Sequence, residues 1–348
     1  MPNHWVTGST IGLSVDAQDN VWTIHRPNTV EANFKAADIK VGDKGGADDE
    51  AAPGTPSTGA TAAADAPFIG KCCKVAPPVL VYDQAGALVK SWGGPGQGYD
   101  WPQSNHGITV DHQGNVWLAG NGEKDTQILK FTNDGKFLFQ LGKHGVQNGS
   151  NDLENFWEPT KIWEDVPANE MYIGDGYRHR RVIVVDVATG KYKRHWGAYG
   201  NRPSDEKVPA YDPKGTPSKQ FNTVHCAIVS NDGLVYVCDR GNTRIQVFQK
   251  NGTFVTEFLS PQMSALDSGD LLFSPDAAQR YIYVGDGQKG QIHILSRSDG
   301  KPLGSFARHG RYAGEFRSLH NLAIDSKGNI YTGEAGYGRR VQKFVRAD

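Results

Sequence analysis

The sequence predicts an all-β protein, a six-bladed β-propeller, on three observations. The chain is rich in glycine, one unit of alternating apolar residues is written six times, and each copy but the last holds four short strand patterns. Glycine makes up 42 of 348 residues, about 12% against a usual ~7%, and glycine tolerates the positive φ angles of tight hairpin turns. The unit reads "IGLSVDAQDNVWTIHRP" from 11, "HGITVDHQGNVWLAGNG" from 106, "HCAIVSNDGLVYVCDRG" from 225 and "HNLAIDSKGNIYTGEAG" from 320. Looser copies are "TKIWEDVPANEMYIGDGY" from 160 and "GDLLFSPDAAQRYIYVGDG" from 269. From His106 onward the starts are 54, 65, 44 and 51 residues apart, near the roughly 40 to 50 of known propeller repeats.

In each copy an alternating run such as "GITVD" is a strand, a polar Asp-x-x-Gly-Asn segment is a turn, and "NVWLAG" or "LVYVCD" is the return strand. Third strands follow in "QILKF", "RVIVVD", "RIQVFQ", "QIHILS" and "RVQKFV". Fourth strands follow in "FLFQLG", "YKRHWG", "FVTEFL" and "PLGSFA". Four antiparallel strands per unit make a propeller blade. A pair of β-sandwiches explains the recurrence less well. The single propeller domain is expected to span residues 1–348, with an Ala/Gly/Thr/Pro-rich insertion at 33–75 inside blade one, too poor in apolar residues to offset the cost of ordering. "PVLVYDQAGALVKSWG" then supplies the third and fourth strands of that blade. The sixth copy has no room for its fourth strand, so residues 1–8 ("MPNHWVTG") are expected to complete it and close the ring.

Composition excludes some functions. Lys+Arg 37 against Asp+Glu 38 leaves no basic footprint for nucleic acid or an anionic membrane. No run of 18 apolar residues exists, and the N-terminus carries no intact signal peptide. Four cysteines form two pairs. Cys72 and Cys73 are adjacent, while Cys226 and Cys238 lie equidistant from Asp232, so a hairpin turning there brings their Cβ atoms to roughly 4.5–5.5 Å. That pair reads either as a disulfide, which would put the protein outside the cytosol, or as two buried thiols. Zinc on the four cysteines does not suit the adjacent spacing.

The first strand of each blade lines the central channel, so equivalent positions converge. His106, His225 and His320 share one position, held by Ile11, Thr160 and Gly269 in the other copies. Three imidazoles with an open fourth position make a catalytic zinc site. The remaining histidines (His4, His25, His112, His144, His179, His195, His293, His309) read as polar surface at turns and strand ends. Fifteen residues into the unit stand Arg26 and Arg240, which border the same mouth and offer planar forks for a carboxylate. Arg240 could equally pair with Asp239, and Arg244, at the start of a strand, reads as structural. Tyr177 in "GDGYRHRR" projects either as a base acidified by cations or as a packing residue.

These residues resemble a known family. The units resemble NHL repeats, and the constellation is similar to the peptidyl-α-hydroxyglycine α-amidating lyases across all six blades outside 33–75. The matching elements are "HR" at 25–26, "HGITVD" at 106, "DGYRHRR" at 175, "VHCAIV…CDRGNTRIQVF" at 224–248 and "LHNLAID" at 319. The resemblance implies zinc on His106, His225 and His320, Tyr177 as base, and Arg26 and Arg240 as substrate-positioning groups. It also implies a structural calcium held by the carbonyls of Leu13 and Ile108 and by the residue after the third histidine, which here is the uncharged Asn321 where the family has an aspartate. The implied reaction cleaves the C–N bond of an N-acyl or peptidyl α-hydroxyglycine to an amide and glyoxylate. The implied partner is therefore a small-molecule or peptide substrate bearing that carboxylate, met by an extracytoplasmic, monomeric enzyme. Against this stand a zinc-dependent propeller enzyme on another small hydroxy-acid or ester/lactone substrate, a non-catalytic protein-binding NHL ring, and a calcium-dependent lactonase or esterase, whose centres use Glu, Asp and Asn instead of histidine.

Overall fold

The computed structural model describes residues 1–30, 68–69, 73–259 and 269–347. Most of the 33–75 insertion, and with it Cys72, lies outside the described residues. Six antiparallel sheets follow one another along the chain. Blade 1 comprises Ser9–Val15, Val21–Arg26, Val79–Tyr82 and Leu88–Trp92, and blade 2 comprises Asn105–Val110, Val116–Gly120, Ile128–Phe131 and Phe137–Leu141. Blade 3 holds Pro159–Asp165, Glu170–Asp175, Arg181–Asp186 and Tyr192–Trp196. Blade 4 holds Val224–Val229, Leu234–Asp239, Arg244–Gln249 and Phe254–Leu259. Blade 5 is Leu271–Phe273, Tyr281–Asp286, Gln291–Ser296 and Pro302–Phe306; blade 6 is Leu319–Ile324, Ile330–Glu334 and Val341–Phe344. The protein is a six-bladed β-propeller, and no helix among the described residues is long and apolar enough to cross a membrane.

The repeated turn has a side-chain cause. Asp16 accepts hydrogen bonds from the amides of Gln18 and Asn20, Asp111 from Gln113 and Asn115, and Asp325 from Lys327 and Asn329. The other carboxylate oxygen receives the indole N–H of Trp22 or Trp117, or the Tyr331 hydroxyl, six residues on. One aspartate thus closes the hairpin and anchors the first aromatic of the return strand. Between blades the apolar faces interlock. Trp22, Ile24, Val79, Ile108, Leu118 and Phe131 fill the blade 1–2 interface, and comparable clusters fill the next four.

Ring closure differs from the sequence expectation. Residues 1–8 do not complete blade 6, which has three strands among the described residues. Trp5–Val6 pairs instead in parallel with Cys73–Val75, at the end of the insertion. The reason is reach. The outer strand of one blade lies about 14 Å from the inner strand of the next, three strand spacings away, and elsewhere eleven or more residues make that passage. Only Thr7 and Gly8 separate Val6 from Ser9, and a link that short spans about 10 Å. Blade 6 closes on blade 1 by packing of Leu13, Val21, Ala323 and Tyr331, and by Asp19, whose carboxylate accepts from the Ser326 amide and hydroxyl at 2.9 and 2.7 Å.

Candidate metal centre

The inner strands share an irregularity at the level of the three histidines. In blade 4 the ladder register slips between Val224 and Cys226, leaving His225 as the extra residue. Blade 6 slips between Leu319 and Asn321, leaving His320, and blade 2 slips across His106 and Gly107. A β-bulge re-aims the extra side chain. A histidine can therefore replace an aliphatic residue at a strand start because its side chain faces the axis instead of the interblade core. All three imidazoles are buried, their ring centroids stand 5.0 Å apart in every pairing, and a ligand nitrogen from each lies within 4.8 Å of the others. Blade 5 contributes only Gly269 here, at φ +59°, where an added Cβ would come within 2.9 Å of His225 and 3.2 Å of Arg240.

Burial, then the neighbouring His320, Arg26 and Arg240, holds His106 well below the usual histidine pKa. Burial, then Arg240, His320, His106 and Lys161, does the same for His225. Both rings are neutral at physiological pH. His320 Nδ1 faces two oxygens, Ile11 O at 3.0 Å and Asn321 Oδ1 at 2.6 Å, so its proton sits on Nδ1 and Nε2 carries the lone pair. The Nδ1 atoms of His106 and His225 are buried without a hydrogen-bond partner. Three convergent, desolvated imidazoles, two of them held neutral by burial and neighbouring charge, are a donor set that fits zinc.

Tyr177 stands over the triad, its hydroxyl 3.1 Å from His106 Nε2 and 3.3 Å from His225 Nε2. Its loop is pressed onto blade 4, since a Cβ on Gly176 would meet the Val224 backbone at 2.2 Å. From below, the buried Asp175 carboxylate grips His179 Nδ1 and Arg181 Nε, each at 2.8 Å, and the Trp157 amide at 2.9 Å. Burial opposes ionisation of Asp175, but His179 and Arg181 hold its pKa below the ordinary value. Arg240 Nη1 donates to the Tyr177 oxygen at 3.3 Å, with the guanidinium 5.4 Å from the ring centre. Asp239 is taken up by Arg244, at 2.7 Å, and by Asn242, which makes Arg244 structural. Arg26 is seated on blade 2, donating to Asn105 O at 3.0 Å and Asn121 Oδ1 at 2.7 Å.

Three expectations change. His25 and His179 are fully buried and belong to the scaffold, not the polar surface. The calcium residues are each in the channel-lining strands, but they do not fit a calcium ion. Asn321 Oδ1 is engaged by His320, and the nearby carboxylate, Asp270, already holds the Lys161 ammonium at 2.6 Å, whereas calcium needs six to eight oxygens. The sequence reading also missed Asn121 and Asp175. Both stand fifteen residues into their units, at the position of Arg26 and Arg240, so the repeat alignment that found the arginines could have found them. Cys226 and Cys238 are directly opposite in the ladder and disulfide-bonded.

A model of the NHL repeat matches residues 221–248, the stretch that carries His225 and Arg240. The protein is a six-bladed β-propeller with an NHL repeat at that stretch. Relatives of this propeller include peptidyl-α-hydroxyglycine α-amidating lyase 1 of Drosophila melanogaster, 28% identical over 71% of this chain and 46% of that protein. Peptidyl-glycine α-amidating monooxygenase B of Xenopus laevis is 27% identical over 69% of this chain. This chain thus spans only 26% of that protein's length. Human NHL repeat-containing protein 3 is 24% identical over 80% of this chain and 75% of its own. Among solved structures, a streptogramin B lyase superposes with a TM-score of 0.51 at 13% identity, over 98% of this chain and 84% of that one. This last likeness concerns the fold alone.

Proposed function

We propose that this NHL propeller is a zinc-dependent carbon–nitrogen lyase that cleaves an N-acyl or peptidyl α-hydroxyglycine to an amide and glyoxylate. The observation that carries the reading is Tyr177, whose oxygen lies within 3.3 Å of two nitrogens of the histidine triad and of Arg240 at once. His106, His225 and His320 would hold the zinc. When bound, zinc supplies Lewis acidity to the substrate's α-hydroxyl. The Tyr177 oxygen accepts the hydroxyl proton; the O–H electron pair becomes the aldehyde C=O of glyoxylate while the C–N bond breaks, and the departing amide nitrogen takes that same proton back from the Tyr177 hydroxyl. Arg240 stabilises negative charge on the tyrosine oxygen. Arg240 and Arg26 together present cationic forks to the substrate carboxylate at the mouth. The Cys226–Cys238 disulfide supports an extracytoplasmic setting.

Glyoxylate release from an α-hydroxyglycine-capped peptide tests the reading. Tyr177→Phe should lose about 10²- to 10⁴-fold in kcat while keeping its zinc, and alanine at any of the three histidines should abolish stoichiometric zinc. A wild-type protein that takes up zinc but releases no glyoxylate from any such substrate would overturn the lyase assignment. The relative whose name carries only the repeat favours a second reading, a non-catalytic binding ring. A fully folded preparation without near-stoichiometric zinc would decide for it.

A further inference from the structure

One residue past the histidine level stand Lys161 and Asn321, on the inner strands of blades 3 and 6, and Asp270, just ahead of the inner strand of blade 5. Lys161 Nζ reaches Asp270 Oδ1 at 2.6 Å and Leu322 O at 3.4 Å. Blades 3 and 6 face each other in a ring of six, so the ammonium lies across the channel. Asp270 is fully buried. Its Oδ1 also accepts from the Leu271 amide at 2.9 Å, and its Oδ2 from the Leu322 amide at 2.8 Å and Asn321 Nδ2 at 3.5 Å. Asn321 Oδ1 in turn accepts the His320 Nδ1 proton at 2.6 Å. A hydrogen-bonded chain therefore runs Lys161, Asp270, Asn321, His320.

A lone carboxylate buried in this channel would be strongly unfavourable without a cation beside it. The chain supplies that cation from its own side chain. We propose that Lys161 is a tethered cation that holds the channel together where a metal ion could otherwise serve, and that it acts as a positioning residue for His320 through Asp270 and Asn321. The fold then has no calcium requirement. The structural half stands by itself; the effect on zinc rests on the reading of the histidine triad given above.

The test compares the wild type with Lys161→Met and with the double variant Lys161→Met/Asp270→Asn. Removing one partner of a buried pair should lower the Tm of Lys161→Met by roughly 5–15 °C. Millimolar calcium or ethylammonium should restore part of it, and the double variant should recover most of it because no unpaired carboxylate remains. The wild-type Tm should be indifferent to calcium and to EGTA. Zinc affinity, read by competition with a chromogenic chelator, should fall about 10- to 100-fold in Lys161→Met. A wild type that calcium stabilises, or a Lys161→Met protein with unchanged Tm, would overturn the tethered cation. Unchanged zinc affinity in a destabilised Lys161→Met protein would overturn the positioning role. Absence of zinc uptake by the wild type would sink the zinc reading while the thermal comparison still decides the structural half.

Discussion

His25 sits behind Arg26, its imidazole fully enclosed. Nδ1 accepts the Gly8 amide at 3.2 Å, and Nε2 meets Pro77 O at 3.0 Å, which makes Nε2 the protonated nitrogen. Burial lowers its pKa from 6.5 to about 4, only partly opposed by backbone hydrogen bonds. Between those values the unfolded chain takes up a proton that the folded protein refuses, so this residue's contribution is complete above pH 6.5 and is lost as pH falls toward 4. The cost across that window is about 3 kcal/mol. Burial raises Asp125 and Asp239 to about 6, and these act in the opposite sense. The comparison should therefore be between the wild type and His25→Gln, which keeps a donor and an acceptor without the charge. Urea unfolding at pH 7 and pH 4 should show the variant losing less stability on acidification; equal losses would refute the assignment.

At the scale of the element, the blade 4 hairpin delivers His225 from its first strand and Arg240 just beyond its second, and the disulfide joins the strands between them. Cys226 and Cys238 are buried in the blade 4–5 core with Ile228, Ile245, Leu271 and Val284. The bridge closes a segment of 12 residues, for which the loop-entropy model gives about 3 kcal/mol. Cys226→Ser with Cys238→Ser should lose on that order of stability in chemical denaturation, and adding reductant should shift the wild type toward the variant. If the two proteins unfold at the same denaturant concentration, the bridge only decorates a hairpin already fixed by packing.

For the molecule as a whole, the ring closes among the described residues through packing of blade 6 on blade 1, not through a shared sheet. Deleting residues 1–6 should therefore leave a folded, cooperative propeller, losing the short parallel pair and the half-buried Trp5, less than about 3 kcal/mol in all. Circular dichroism and a single denaturation transition would check this. A collapse of cooperativity would mean that the first residues clasp the last blade after all.

The blades, their order and their strands were legible in the sequence because alternation and turn chemistry are local: Asp16, Asp111 and Asp325 each write their own hairpin. The shared position of His106, His225 and His320 was legible because repetition carries register. Other features depended on which blades meet. Arg26 finds Asn121 across 95 residues of sequence, and Lys161 finds Asp270 across 109. No local pattern encodes such pairs, since the closed ring alone decides which inner strands face one another across the channel. The bulges that turn the histidines inward belong to the same class, because a slip of register exists only between two paired strands. Sequence by itself thus determined the repeat and its three histidines. Tertiary closure decided that they converge, that Tyr177 covers them, and that a lysine holds the channel beneath.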